Sequence, residues 1–419
     1  MHELLTLFSK SRLDPDYGAA FYGSIPSNFT FTRSTGNATY FDANGVMQYA
    51  GVNEPRFNHY PVSGEARCLM IESQATNRIS NSDVSTWTSG STPRPTLTAN
   101  QGIAPDATNT FTKWERSTLG PCYAGIRTSK YFQNIPCRFS IYAKKGNVDT
   151  LAVRVQGVYP ARVDASFNLA TGETTVSSNT FTGEYSKMEY IGNGIYRCII
   201  GCATSNNKFS FFNAISFNNI NSTQIDCTDD KSDSYGYVWG AQNEYTKTHS
   251  SYIPTNGSTV TRGADIVKNT NLPWWNATAG TMYIECVQKE AEAFIACEFN
   301  DGSYSNRCVV CEAGSTGLST RSFAYSGGVL QGSNNTARSD LESPLRVAYS
   351  IQKDRSQNAV NGVVGSVDTS FDMPIGIDRL FLSGGGAGGV ALIPSVMYLR
   401  SFKYWRTALN DAELERITK

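Results

Sequence analysis

Apolar and polar residues alternate with a period of two along most of this chain. "RFSIYAKKG" (Arg138–Gly146), "GNGIYRCIIGCAT" (Gly192–Thr204), "KFSFFNAISF" (Lys208–Phe217) and "YGYVWGAQNEY" (Tyr235–Tyr245) each place apolar side chains on one face of an extended segment. Further on, "TMYIECV", "AFIACEF", "RCVVCEA", "LRVAYSIQ" and "DRLFLSG" repeat the pattern. No stretch of helical periodicity separates these runs, so the spacing predicts antiparallel sheets rather than crossover units. Turn chemistry punctuates them. Gly45 ends the turn in "TYFDANGVMQYA", Ser63 and Gly64 turn "HYPVSGEARCLMIE", and Asn361-Gly362 supplies the two positive-φ residues of a type I′ hairpin between Val360 and Val363. One helix is predicted, over Ala408–Ile417. Asn410 is its N-cap, Glu413 completes a capping box, and Leu409 and Leu414 form a hydrophobic staple.

The fold class that follows is all-β: an N-terminal hairpin arm, two β-sandwich or jelly-roll domains, and a short C-terminal helix. Residues 1–77 hold hairpins with too little core to stand alone, and so form an anchor and arm that must lie against something else. Residues 78–262 make the first sandwich and 263–419 the second. Inside the arm, Leu4, Leu5, Leu7 and Phe8 form a short amphipathic segment before Pro15, suited to docking on a partner. Removal of the residues before Arg33 is therefore expected to leave both sandwich domains folded.

Composition narrows the chemistry. Lysine plus arginine and aspartate plus glutamate both total 36, so the formal charge is zero and there is no global pull toward nucleic acid or an anionic membrane. No run approaches the roughly 18 apolar residues of a membrane helix, so no membrane insertion is expected. Near-zero charge favours self-association. The ten cysteines are scattered, and Cys198, Cys286, Cys297 and Cys308 fall in strand-like runs, as small buried hydrophobes would. Cys308 and Cys311 form a lone C-x-x-C on a predicted strand, without the second pair a zinc site needs. The three histidines, His2, His59 and His249, are too dispersed for a nucleophile triad. No strand carries alternating acids of glycosidase type, and "DAELE" (Asp411–Glu415) belongs to the capped helix.

Three segments, in order, resemble a group of bacteriophage virion proteins. "FTRSTGNATYFDANGVMQYAGVNEPRFNHYPVSGEARCLMIESQATN" (Phe31–Asn77) is similar to their opening module. "GNGIYRC", "YVWGAQNE" and "SSYIPTNGSTVTRGAD" resemble the end of a carbohydrate-binding-module-like jelly roll. "GTMYIE", "RVAYSIQKDRSQNAVNGV" and "YWRTALNDAELERI" resemble a concanavalin A-like (laminin G-like) lectin domain. The resemblance implies a non-enzymatic virion protein of tail-fibre or head-decoration type, assembled in the bacterial host cytoplasm. It implies a homotrimer, contact with other virion proteins through the N-terminal segment, and attachment to host-surface glycan. A purely structural capsid or collar decoration is the alternative, and a polysaccharide-degrading enzyme a distant third.

Candidate ligand platforms are aromatic, because rings stack on the apolar faces of sugars. Trp239 and Trp405 are expected in the core. Trp87 and Trp114, in polar, turn-rich surroundings, are freer to be exposed. Trp274-Trp275 follows Pro273 and would either bind ligand or fill a seam. No cofactor is expected, apart from a structural calcium as the one candidate. Asp226, Asp229, Asp230 and Asp233 in "DCTDDKSD" supply the oxygen ligands that hard cation takes.

Overall fold

The computed structural model describes residues 13–128, 135–203, 210–289, 294–313, 318–338, 343–382 and 396–419. The chain is all-β, as its alternation predicts, and every strand pair among the described residues is antiparallel. It divides into two units whose sequences interleave. One comprises residues up to Arg33, Arg67–Ser73 and Ala264–Lys419; the other comprises Ser34–Ala66 and Gln74–Gly263.

The unit built mainly from the middle of the chain is a two-sheet sandwich. One sheet runs Tyr185–Gly192, Ile195–Cys202, Cys137–Lys145, Tyr235–Glu244, Thr112–Glu115, Thr96–Thr98. The other runs Thr174–Asn179, Arg162–Asn168, Thr150–Gln156, Phe212–Asn218, Ala124–Arg127, Ser89–Gly90. Alternate residues of both, including Phe139, Ile141, Leu151, Val153, Phe167 and Phe217, fill the core between them. Residues 34–66 belong to this unit as a cover. Met47 and Phe41, from the hairpin Ala38–Phe41 and Met47–Ala50, pack with Tyr142, Trp239 and Tyr252. Arg56 donates to Thr39 O at 3.0 Å and to Ser251 Oγ at 2.9 Å. Asn77 is a second tie. Its Nδ2 donates to Ala241 O and Ile253 O, and its Oδ1 accepts from the amides of Ile79 and Asn243.

In the other unit, one sheet runs Val363–Val364, Arg355–Val360, Leu345–Gln352, Ala279–Gln288, Val396–Trp405, Ala66–Glu72, with Tyr17–Ala20 also beside Val396–Trp405. The facing sheet runs Thr30–Thr32, Ile266–Asn269, Arg379–Phe381, Phe294–Asn300, Arg307–Ala313, Ser319–Ser326, Val329–Ala337. Asn361-Gly362 makes the expected tight turn, with φ of 46° and 81°. The helix spans Asp411–Thr418 with the capping box formed, and Leu409 and Leu414 are buried with Trp405.

The N-terminal residues, expected to lie against something else, supply strands to this unit. Tyr17–Ala20 pairs with Ser401–Tyr404, and Trp405 Nε1 donates to Leu13 O at 3.1 Å. Tyr17 stacks on Trp274 with centroids 4.5 Å apart. Thr30–Thr32 pairs with Ile266–Lys268. These segments are sheet strands, because only a long-range partner satisfies their backbone groups and covers their apolar faces. Leu4, Leu5, Leu7 and Phe8 lie outside the described residues.

One buried carboxylate ties the three passes of the chain through this unit. Asp265 Oδ1 accepts from Arg33 Nη1 at 2.9 Å, both side chains being fully buried, and Oδ2 accepts from the amide of Glu72 at 2.9 Å. The Asp265 amide returns a bond to Glu72 O. A polar seam also closes the edge between Val329–Ala337 and Arg355–Val360. Asn334, Thr336, Ser356 and Asn358 bond one another there, all buried. Gly365 is required at that seam, since a Cβ would lie 2.4 Å from Thr336 Oγ1 and 2.6 Å from Asn358 Oδ1.

Two outcomes are expected. Asp265→Ala leaves the Arg33 guanidinium buried without its charge partner and lowers unfolding free energy by about 3–5 kcal/mol, measured by chemical denaturation. Deleting residues 1–32 removes two strands, so amide hydrogen exchange in Val396–Trp405 accelerates instead of staying at its full-chain rate.

Candidate functional site

An open groove of about 430 Å³ lies in the middle-chain unit, walled by Ser85, Thr88, Arg94 and Leu97, with the buried Trp87, Pro95 and Ala124 completing its lining. Local bonds fix each wall. Asp83 caps the single turn Val84–Thr86, accepting from the Ser85 amide at 2.9 Å and from Thr112 Oγ1 at 3.3 Å. Trp87, 5% exposed, sits in the core with its Nε1 donating to Asn81 O at 3.2 Å. The opposite wall is pinned by Ser91, whose Oγ donates to Pro93 O and accepts from the Tyr123 amide. Ser117 Oγ donates to Arg94 O at 2.7 Å. Gly90 lets the two walls approach, because a Cβ there would meet Tyr123 O at 2.2 Å. Arg94 is exposed and reaches across to the Thr88 carbonyl.

Of the tryptophans expected to be exposed, Trp87 touches this groove and Trp114 does not. Trp114 is fully buried. It points inward from Thr112–Glu115 against Phe217, while Lys113 and Glu115 take the solvent face of the same strand. Their polar sequence surroundings reflect the outward residues of alternating strands and turns, which is why exposure was misjudged. Trp274 and Trp275 lie in the other unit with Tyr17, Phe299, Phe402 and Tyr404. Trp274 is buried, and Trp275 is half-buried, 5.0 Å from Phe299. Trp239 is buried as expected, its Nε1 donating to Thr110 Oγ1.

The aspartates of "DCTDDKSD" do not converge. Asp229 is buried and pairs with Arg116 at 3.2 Å. Its oxygens also accept from the amides of Asn219 and Asp230 and from Ser234 Oγ. Asp226 faces Arg154, itself paired with Asp164 at 2.5 Å. Asp230 is exposed and takes the Asn219 amide group, which holds its carboxyl below the usual range. Asp233 contributes its carbonyl to Asn147 Nδ2. Among the described residues no group of three His, Cys, Asp or Glu side chains could hold a metal ion. Asp226 and Asp229 are spent on internal arginines and Asp230 on the Asn219 amide, which the run of acidic letters does not reveal.

All ten cysteines are free, and nine are buried. Burial pushes the Cys202 thiol up to about 11. His249 is buried, 3.2 Å from Glu189. The groove was missed from sequence because it is assembled by Ser91 and Tyr123, whose pairing only the sheet order reveals.

Comparison with known proteins finds similarity in structure alone. No protein-family description matches the chain, and no curated protein matches it in sequence. The CBM40 module of the Ruminococcus gnavus IT-sialidase is 15% identical, covering 34% of this chain and 84% of its own, with a TM-score of 0.31. Domain 4 of an extracellular arabinanase from Geobacillus stearothermophilus is 11% identical, covering 37% of this chain and 73% of its own, with a TM-score of 0.29. A galectin from Caenorhabditis elegans is 13% identical, covering 30% and 83%, with a TM-score of 0.21.

The Asp226→Asn/Asp230→Asn double variant is expected to show the same melting-temperature response to added calcium as the unaltered chain. Asp229→Ala is expected to lose about 3–5 kcal/mol of stability by stranding Arg116, measured in urea.

Proposed function

We propose that this chain is a non-enzymatic structural protein of a bacteriophage virion that presents a saccharide-binding groove for attachment to host-surface glycan. The groove beside Trp87 and Arg94 carries the ligand part of this reading. Its volume suits one or two sugar rings, falling within the roughly 300–1,000 Å³ of small-ligand sites. The hydroxyls of Ser85 and Thr88 have no protein partner among the described residues, so each has hydrogen bonds to offer. Leu97 supplies apolar surface beside them. The virion setting rests on the sequence resemblance. With it come assembly in the bacterial cytoplasm, a homotrimeric state, and contact with other particle proteins through Leu4, Leu5, Leu7 and Phe8.

One observation favours the second reading, a decoration protein with no ligand. The quoted resemblance contains Arg33, Arg56, Asn77 and Asp265, and all four are used inside the fold. The resemblance therefore speaks to architecture rather than to a ligand.

A glycan array built from host-surface polysaccharides separates the two. The full chain is expected to be retained, and Ser85→Trp, which fills the groove, to weaken retention by about tenfold or more, the equivalent of roughly 1.4 kcal/mol. Immunogold labelling that decorates purified particles while the array stays blank would favour the decoration reading; particles that take no label would refute the virion assignment.

A further inference from the structure

The ligand class of the groove follows from one uncompensated charge. Among the groove's lining residues, Arg94 alone carries a charge; Ser85, Trp87, Thr88, Pro95, Leu97 and Ala124 are neutral. Elsewhere in the same unit three partly or fully buried guanidiniums meet carboxylates, while the buried Arg138 is held by the Cys137 and Cys202 carbonyls. Arg154 meets Asp164 and Asp226, Arg162 meets Asp164, and Arg116 meets Asp229. Arg94 pairs with no carboxylate among the described residues; its side chain bonds only the Thr88 carbonyl. The nearby carboxylate of Asp83 is occupied in capping the Val84–Thr86 turn and bonding Thr112.

The geometry around Arg94 is fixed in advance. Its own carbonyl is held by Ser117, its loop is tied at Ser91 to Tyr123, and its stem lies 3.2 Å from where a Gly90 Cβ would be. These ties place the Arg94 backbone at the groove, and its guanidinium presents a fork that matches a carboxylate with two parallel N–H···O bonds. The flanking hydroxyls of Ser85 and Thr88 match sugar hydroxyls, and Leu97 matches the apolar edge of a ring.

We propose, resting on the groove reading above, that this site takes an acidic saccharide, a sugar unit bearing a carboxylate that docks on Arg94. A single cation distinguishes it from a polyanion-binding surface, which needs several phosphate contacts along a track.

The test uses the full chain and two oligosaccharides matched in length, one of alternating glucuronic acid and glucose and one of glucose alone, in titration calorimetry at low and high salt. The acidic oligosaccharide is expected to bind at least about tenfold more tightly, with a preference that shrinks as salt rises. Arg94→Ala should abolish that preference and Arg94→Lys retain part of it, while Lys145→Ala, an exposed cation paired with Asp149 outside the groove lining, should leave it unchanged. Inorganic phosphate should compete weakly. Equal affinity for the two oligosaccharides, both lost in Ser85→Trp, would overturn the acidic class and leave the groove reading standing. Phosphate competing as well as the acidic oligosaccharide would overturn specificity for a sugar carboxylate. Binding of neither oligosaccharide would overturn both readings.

Discussion

The buried carboxylate of Asp265 is the constraint on which one whole unit depends. It is reached by the chain leaving at Arg33, by the chain at Glu72, and by the chain returning after Gly263. A charge with no access to water is tolerated only when its oxygens are satisfied, and here a guanidinium and a backbone amide do so together. Because those partners come from two distant segments, the ion pair forms only when all three passes are in register. It therefore rewards one arrangement of strands over its slipped alternatives, which would strand two opposite charges in the interior.

The middle-chain unit uses the same device with neutral groups. Asn77 reaches Ala241 and Ile253 with its nitrogen and two backbone amides with its oxygen, while Arg56 reaches Thr39 and Ser251. They satisfy backbone groups where strands leave the regular ladder, so their side-chain chemistry cannot be replaced by apolar packing. The proposed binding surface lies apart from them, on loops held between Ser91, Tyr123 and Ser117. Structural hubs and the groove thus belong to different parts of the same sheet system.

Local features were legible in the sequence. The alternation of "RFSIYAKK" placed Phe139 and Ile141 inside, Asn361-Gly362 made its turn, and Asn410 and Glu413 capped their helix, because each depends on neighbours a few residues away. Partners far along the chain were not legible. Nothing local tells Tyr17–Ala20 that its strand is Ser401–Tyr404, and nothing in "DCTDDKSD" reveals that Arg116 and Arg154 will consume its acids. The groove depends on the same long-range order. Thr88 and Arg94 look like ordinary loop residues until Ser89–Gly90 joins Ala124–Gly125 and brings Tyr123 beside Ser91.

Interleaving the two units also constrains how this chain can be inherited. Neither sandwich is encoded by one uninterrupted stretch, since the chain passes from one to the other at 33/34, 66/67, 73/74 and 263/264. A recombination event with a single crossover between residues 56 and 251 would separate the partners of both the Arg33–Asp265 and the Arg56–Ser251 pairs. Exchange of either unit as a cassette keeps its ties only if every segment of that unit travels together.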